Sequence, residues 1–232
     1  MSVPQTDWEQ GLGFSTRAGE AAFLQQVATE TGLRLSVAGH SVLDHTIWRA
    51  ELGSPTGTPI VFTAAQHGTE PGSREAALMW FRDLAYSTDS SVATFLSQFR
   101  LVLVTTMNPD GIEEPRVRSN GAGVNINRDW FTLTQPETRA GRKVITEVRP
   151  AIVVDLHEWS SASGTFTFGW GAPVPSVYPA VPAIDAMTQS LFAAGLDAVE
   201  DAGYETREYP VIGADLSQGT LRTATIPAHA VG

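Results

Sequence analysis

The sequence predicts an α/β fold: a mixed, mainly parallel sheet with helices on both faces. Three observations lead there. Short apolar runs bounded by turn residues alternate with longer stretches of helical spacing. One of those runs, AIVVDL, is apolar almost throughout, as strands buried on both faces are. No linker, repeat or change of composition divides the 232 residues, and at 42% apolar content a chain of this length buries a substantial core. One domain over 1–232 is expected.

The elements follow in order. Residues 17–31 carry Ala and Leu at helical spacing, and Gly32 closes the helix. LRLSVAG (33–39) and HTIWRAELG (45–53) read as the strands of a hairpin, and 54–58 as the turn into the strand PIVFTAA (59–65). A helix over 72–85 opens directly after HGTEPG, and a strand covers 100–107. The stretch 108–130 is rich in Gly, Asn, Pro and Arg, so it reads as a long ordered loop. Residues 136–148 form a helix with Pro in its first turn. AIVVDL (151–156) is a buried strand, TFTFGW (165–170) alternates as another, and 182–202 is a helix ended by Gly203.

Composition removes several functions. The absence of cysteine excludes disulfides, thiolate catalysis and Cys-type zinc sites. A net charge of -10 argues against a nucleic-acid partner, which demands a basic stripe. The apolar runs are too short for a membrane span. MSVPQTDWEQ lacks the basic start and apolar core of a secretory signal, so the compartment is left open with the cytoplasm as default.

The chemistry concentrates after two strands. His67 and Glu70 stand in QHGTEPG behind one strand, and His157 stands at the end of IVVDLHEW behind another. In open α/β sheets ligands bind beyond the carboxyl ends of strands. Two His and one Glu are ligand types that zinc accepts, and three of them leave a fourth position for water. A lone His at a strand end is more often just hydrogen-bonded; the conjunction carries the metal reading. In the loop between, Arg116, Arg118 and Arg128 suit an anionic target. The alternative is that they pair with Glu113, Glu114 and Asp129 as surface ion pairs.

Taken together, HGTE, NPDG, RSNGAGVNINR and DLHE, in this order and spacing, resemble the zinc carboxypeptidase family of metallopeptidases. NINRDW, QPETRA and GTLR look most like a compact bacterial branch, and the resemblance runs over about residues 35–225. It implies one zinc ion on His67, Glu70 and His157. It implies that Arg118 polarises the scissile carbonyl and stabilises the oxyanion, and that Asn127 and Arg128 hold the substrate's terminal carboxylate. These roles agree with amide hydrolysis, in which a cation and a guanidinium stabilise charge developing on the carbonyl oxygen.

The chain departs from the family pattern twice. Asn125 stands where the family has an Asp that accepts a hydrogen bond from the first zinc histidine, here His67. An uncharged acceptor lowers metal affinity on the order of tenfold. The family's general-base Glu lies on a strand after the segment matching GTLRTA, and no carboxylate follows Asp215 here. A fragment ending short of that Glu is the expectation, and Glu158 beside His157 is the nearest substitute in sequence. Adjacent residues on an extended strand point to opposite faces, which disfavours it. Tyr204 and Tyr209 fall where the family's substrate-facing tyrosine lies, and no motif fixes either.

Three functions remain at the level of sequence. The first is a zinc carboxypeptidase cleaving the C-terminal amide bond of a peptide or a peptidoglycan stem peptide. The second is a zinc amidohydrolase of small N-acyl amino acids, and the third a metal- and carboxylate-binding module without turnover.

Overall fold

In a computed structural model of the chain, residues 3–158 and 182–203 are described. They belong to two compact units, one containing the chain up to Glu158 and the other starting at Trp159.

In the first unit, helix α1 (Arg17–Glu30) is followed by the hairpin β1 (Arg34–His40) and β2 (Thr46–Gly53), then by β3 (Thr58–Ala64). Helices α2 (Pro71–Tyr86) and α3 (Ser90–Gln98) lead into β4 (Phe99–Val104), and α4 (Pro136–Val148) leads into β5 (Ile152–Leu156). The strands form one sheet in the order β1-β2-β4-β3-β5. β1 and β2 pair antiparallel, as do β2 and β4, while β3 runs parallel to both β4 and β5. The expected mixed sheet is therefore present, with its parallel part around β3.

Period-two alternation in β4 shows why helices cover both faces. Leu101 and Leu103 pack with Phe23, Leu24 and Val27 of α1 and Ala77, Leu78 and Phe81 of α2. Val102 and Val104 point the other way, into a cluster with Ala140, Val144, Ile145 and Val148 of α4. All four strand residues are completely buried. Each such side chain stabilises the fold by about 1.5–3 kcal/mol.

Buried charge anchors α2. Arg74, fully buried, pairs with Glu75 at 2.9 Å and Glu20 at 3.8 Å. Glu75 in turn accepts from the Ser15 backbone N–H at 2.8 Å and its hydroxyl at 3.0 Å, tying the N-terminal segment to the helix. Removing one member of such a cluster strands a charge and costs about 3–5 kcal/mol.

The structure differs from the sequence expectation in three places. Helix α3 occupies a stretch for which no element is expected; Asp89 caps it, accepting from the Ser91 N–H at 2.7 Å. β4 stops at Val104, short of the expected 107, although the Thr105 N–H still donates to the Trp48 carbonyl of β2 and the Met107 N–H to the Ala64 carbonyl of β3. β5, expected to be buried on both faces, is partly buried at each of its five residues. TFTFGW (165–170) lies outside the described residues.

The second unit is described through α5 (Pro182–Asp201), which ends before Gly203 at φ 87°. A left-handed glycine just past a helix is the usual stop. No described helix is long and apolar enough to cross a membrane.

Candidate metal centre

Neighbouring parallel strands deliver the ligands. β3 and β5 pair with Ala64 opposite Leu156, so the chain leaves both strands at the same end of the sheet. Beyond β3, Ala65 turns in the left-handed region at φ 50°, and its N–H donates to Ser73 Oγ at 3.3 Å. His67 and Glu70 follow, closed into a turn by the Glu70 N–H on the His67 carbonyl at 3.0 Å. Pro71 then starts α2, where its missing N–H costs nothing.

One ligand atom each from His67, Glu70 and His157 lies within 4.8 Å of the others, and this group can hold a metal ion. Glu70 Oε1 is 2.7 Å from His67 Nδ1, and Oε2 is 2.6 Å from His157 Nδ1. Both rings thus present the same nitrogen to one carboxylate. His67 is 2% exposed and Glu70 6%, whereas the His157 side chain is 26% exposed, so the group opens on the His157 side. Burial raises the Glu70 carboxyl pKa, but hydrogen bonds and charge from His157 and His67 outweigh it and hold it far below the usual carboxylate range. For His157, burial favours the neutral ring, and the charges and hydrogen bonds of Asp155 and Glu70 overcome this and push the pKa up.

The far nitrogens are also engaged. His67 Nε2 lies 3.0 Å from Asn125 Oδ1, and that oxygen also accepts the Asn127 backbone N–H at 3.1 Å. A backbone N–H can only donate, so this amide oxygen is fixed as an acceptor and the His67 proton belongs on Nε2. Nδ1 is left as the donor atom, and two imidazoles with one carboxylate make a donor set that fits zinc. Asn125 thereby makes the contact expected of it.

Arg118 Nη1 donates to Glu70 Oε1 at 3.1 Å, with its side chain half exposed at 52%. Asn127 and Arg128 occupy a single 3-10 turn, Ile126–Arg128, inside the long loop. Asn127 is buried, with Nδ2 3.1 Å from His157 Nε2 and its Oδ1 without a hydrogen-bond partner. Arg128 Nη1 donates to the Asn127 carbonyl at 2.8 Å. Five of the six expected site residues therefore form one contact network, and Arg128 is held beside it. Arg116 makes the surface pair, with Glu114. Glu113 pairs with Arg17 at 3.7 Å, and Asp129 is taken by threonines.

Glu158 is engaged with the start of α2. Its carboxylate accepts the Ser73 N–H at 2.9 Å and caps α2, while its own N–H donates to Glu70 Oε2 at 3.2 Å. Burial comes first among the influences that raise its pKa. Sequence reasoning missed Asp155, whose Oδ2 lies 2.9 Å from His157 Nε2. The signal was present, since residues two apart on a strand share a face.

The zinc carboxypeptidase family model matches residues 20–210. Carboxypeptidase D of Anas platyrhynchos is 30% identical over 129 residues, which is 46% of this chain and 9% of that protein. A probable carboxypeptidase 2 of Arthroderma benhamiae is 29% identical over 103 residues, 44% of this chain and 19% of the relative. Among solved structures, a metallo-carboxypeptidase from Burkholderia cenocepacia superposes with a TM-score of 0.71 at 21% identity, covering 83% of this chain and 52% of that one. Carboxypeptidase A from Helicoverpa armigera gives 0.69 at 17% identity, over 84% of this chain and 57% of the other. The chain thus spans about half the length of these solved relatives, and at such identities the likeness establishes the fold. The family match spans most of the sequence and both units, and it includes every residue of the His67–Glu70–His157 group; the chain belongs to the zinc carboxypeptidase family.

Proposed function

We propose that the protein is a zinc-dependent carboxypeptidase, hydrolysing the C-terminal amide bond of a peptide that ends in a free carboxylate. The observation that carries this reading is the convergence of His67, Glu70 and His157 within 4.8 Å, with Arg118 on the same carboxylate. Residues 1–232 are taken as part of one catalytic domain, supported by a family match that continues across the boundary between the two units. His67 Nδ1, His157 Nδ1 and Glu70 would hold one zinc ion, which would supply the Lewis acidity for hydrolysis by water.

The side chains do the rest. Arg118 has five N–H donors, and its contact with Glu70 uses one. Its half-exposed guanidinium donates to the carbonyl oxygen of the scissile bond as negative charge develops there. Arg128 and Asn127 fix the terminal carboxylate and so decide which bond lies over the metal. Glu158, committed to capping α2, has no proton-transfer role in this reading.

The test is zinc content and hydrolysis on one sample, with peptides ending in a free acid, the same peptides amidated, and N-acyl amino acids. One zinc per chain and release of the last residue from the free-acid peptides alone is expected. Failure to retain zinc overturns the metal reading. Hydrolysis of N-acyl amino acids alone makes the protein an amidohydrolase, and zinc without any turnover makes this chain a binding module.

A further inference from the structure

Asp155 sits in β5 opposite Thr63 of β3, largely buried, and three donors converge on its carboxylate. Thr63 Oγ donates to Oδ1 at 2.7 Å; Gln66 Nε2 at 2.6 Å and His157 Nε2 at 2.9 Å both reach Oδ2. The direction of this network is decided in the core. The Trp130 indole Nε1–H, which can only donate, meets Gln66 Oε1 at 2.8 Å, and both residues are 1% exposed. Gln66 must therefore keep its oxygen toward Trp130 and its amino group toward Asp155. With Gln66 locked as a donor, Asp155 Oδ2 is an acceptor for His157 as well. The proton of His157 then sits on Nε2, and Nδ1 is the nitrogen that faces Glu70.

We infer that Asp155, held by Gln66 and Trp130, is the positioning carboxylate of the metal site, moved from the first histidine to the second. His67 has only the neutral Asn125 behind it, whereas His157 has a carboxylate. A histidine ligand that donates its other N–H to a carboxylate is both oriented and made more basic, and loss of such a partner typically lowers metal affinity ten- to a hundredfold. One carboxylate behind either histidine supplies the same charge to the cation. This inference rests on the metal reading above.

The experiment measures zinc affinity by chelator competition on the 232-residue chain and three variants: Asp155→Asn, Asn125→Asp and the double variant. Asp155→Asn is expected to bind zinc ten- to a hundredfold more weakly while unfolding cooperatively. Adding Asn125→Asp, which restores a carboxylate behind His67, is expected to recover most of that loss. A purely architectural Asp155 predicts no recovery, because the second change lies on the other histidine. In histidine-labelled, zinc-loaded protein the His157 Nε2–H proton resonance should move upfield in Asp155→Asn. Unchanged affinity in folded Asp155→Asn, or a double variant as weak as the single, overturns the inference. Failure of the unsubstituted chain to bind zinc overturns the metal reading instead.

Discussion

Glu158 accepts the Ser73 backbone N–H at 2.9 Å, which turns the acidic residue nearest in sequence to a metal ligand into the cap of a remote helix. A helix start leaves N–H groups without intrahelical partners, and an anion there is favoured by the helix dipole. Glu158→Ala is expected to destabilise the fold by about 0.5–2 kcal/mol, the usual cost of a lost cap. Glu158→Gln, which retains an acceptor oxygen, should lose less and leave any peptide turnover unchanged. Denaturant unfolding of both variants checks the first statement; an alanine variant as stable as the parent would show the cap to be idle.

The ligand assignment separates metal from substrate. His67→Ala and His157→Ala should each lose bound zinc, while Arg128→Ala should retain it and bind free-acid peptides weakly. Arg118→Ala should lower turnover more than affinity, since its charge partner develops only in the transition state. Metal analysis after dialysis, followed by kcat and KM, checks all four. Full zinc content in His157→Ala would sink the assignment.

Gly68, inside HGTE, is a close-approach position. A Cβ there would stand 2.0 Å from the Gly111 carbonyl oxygen and 2.4 Å from that of Val117, both backbone atoms that cannot swing aside. Gly68→Ala must therefore displace the loop that carries Arg118, costing about 1–3 kcal/mol as overpacking does. Thermal unfolding reads the cost. Stability equal to the parent would mean that the loop relaxes freely.

Asp129 ties the long loop to the start of α4. Burial works against its charge, but hydrogen bonds from Thr132, Thr134, Thr138 and the Gln135 N–H more than compensate, and its carboxyl is held well below the usual range. A carboxyl depressed on folding adds stability above its unfolded pKa, ~3.9, and that stability fades as the pH falls through the lower folded value. Asp129→Asn should thus be less stable than the parent at neutral pH by about 1–3 kcal/mol. The gap should narrow as the pH drops below ~4. A gap independent of pH would assign the loss to shape alone.

Strong periodicity and punctuation made most elements legible: α1, the hairpin, β3, α2, α4 and β5 lie within a few residues of their expected places. Helix α3 was not legible, because SSVATFLSQ is short, holds β-branched and serine residues of modest helix propensity, and has no fully buried side chain. Asp89 ahead of it was the available sign. In the site, His67, Glu70 and His157 could be read as a group because they stand together behind two strands, although each alone is an ordinary strand-end residue. Asp155 was missed although its place two residues before His157 was a sign, since the partners that give a carboxylate inside an apolar strand its role, Thr63, Gln66 and Trp130, come from distant parts of the chain.

The adjacency of β3 and β5 has a consequence for folding. Positions 67 and 157 become neighbours only when those two strands have paired, so the coordination sphere cannot exist in a chain with local structure alone. A bound cation would then act as a clasp between two remote segments, one that holds the paired state and leaves the open chain untouched. Through mass action, free zinc at a hundredfold excess over Kd adds about 2.7 kcal/mol to the assembled state. The melting temperature at graded zinc concentrations therefore reports the closing of the sheet.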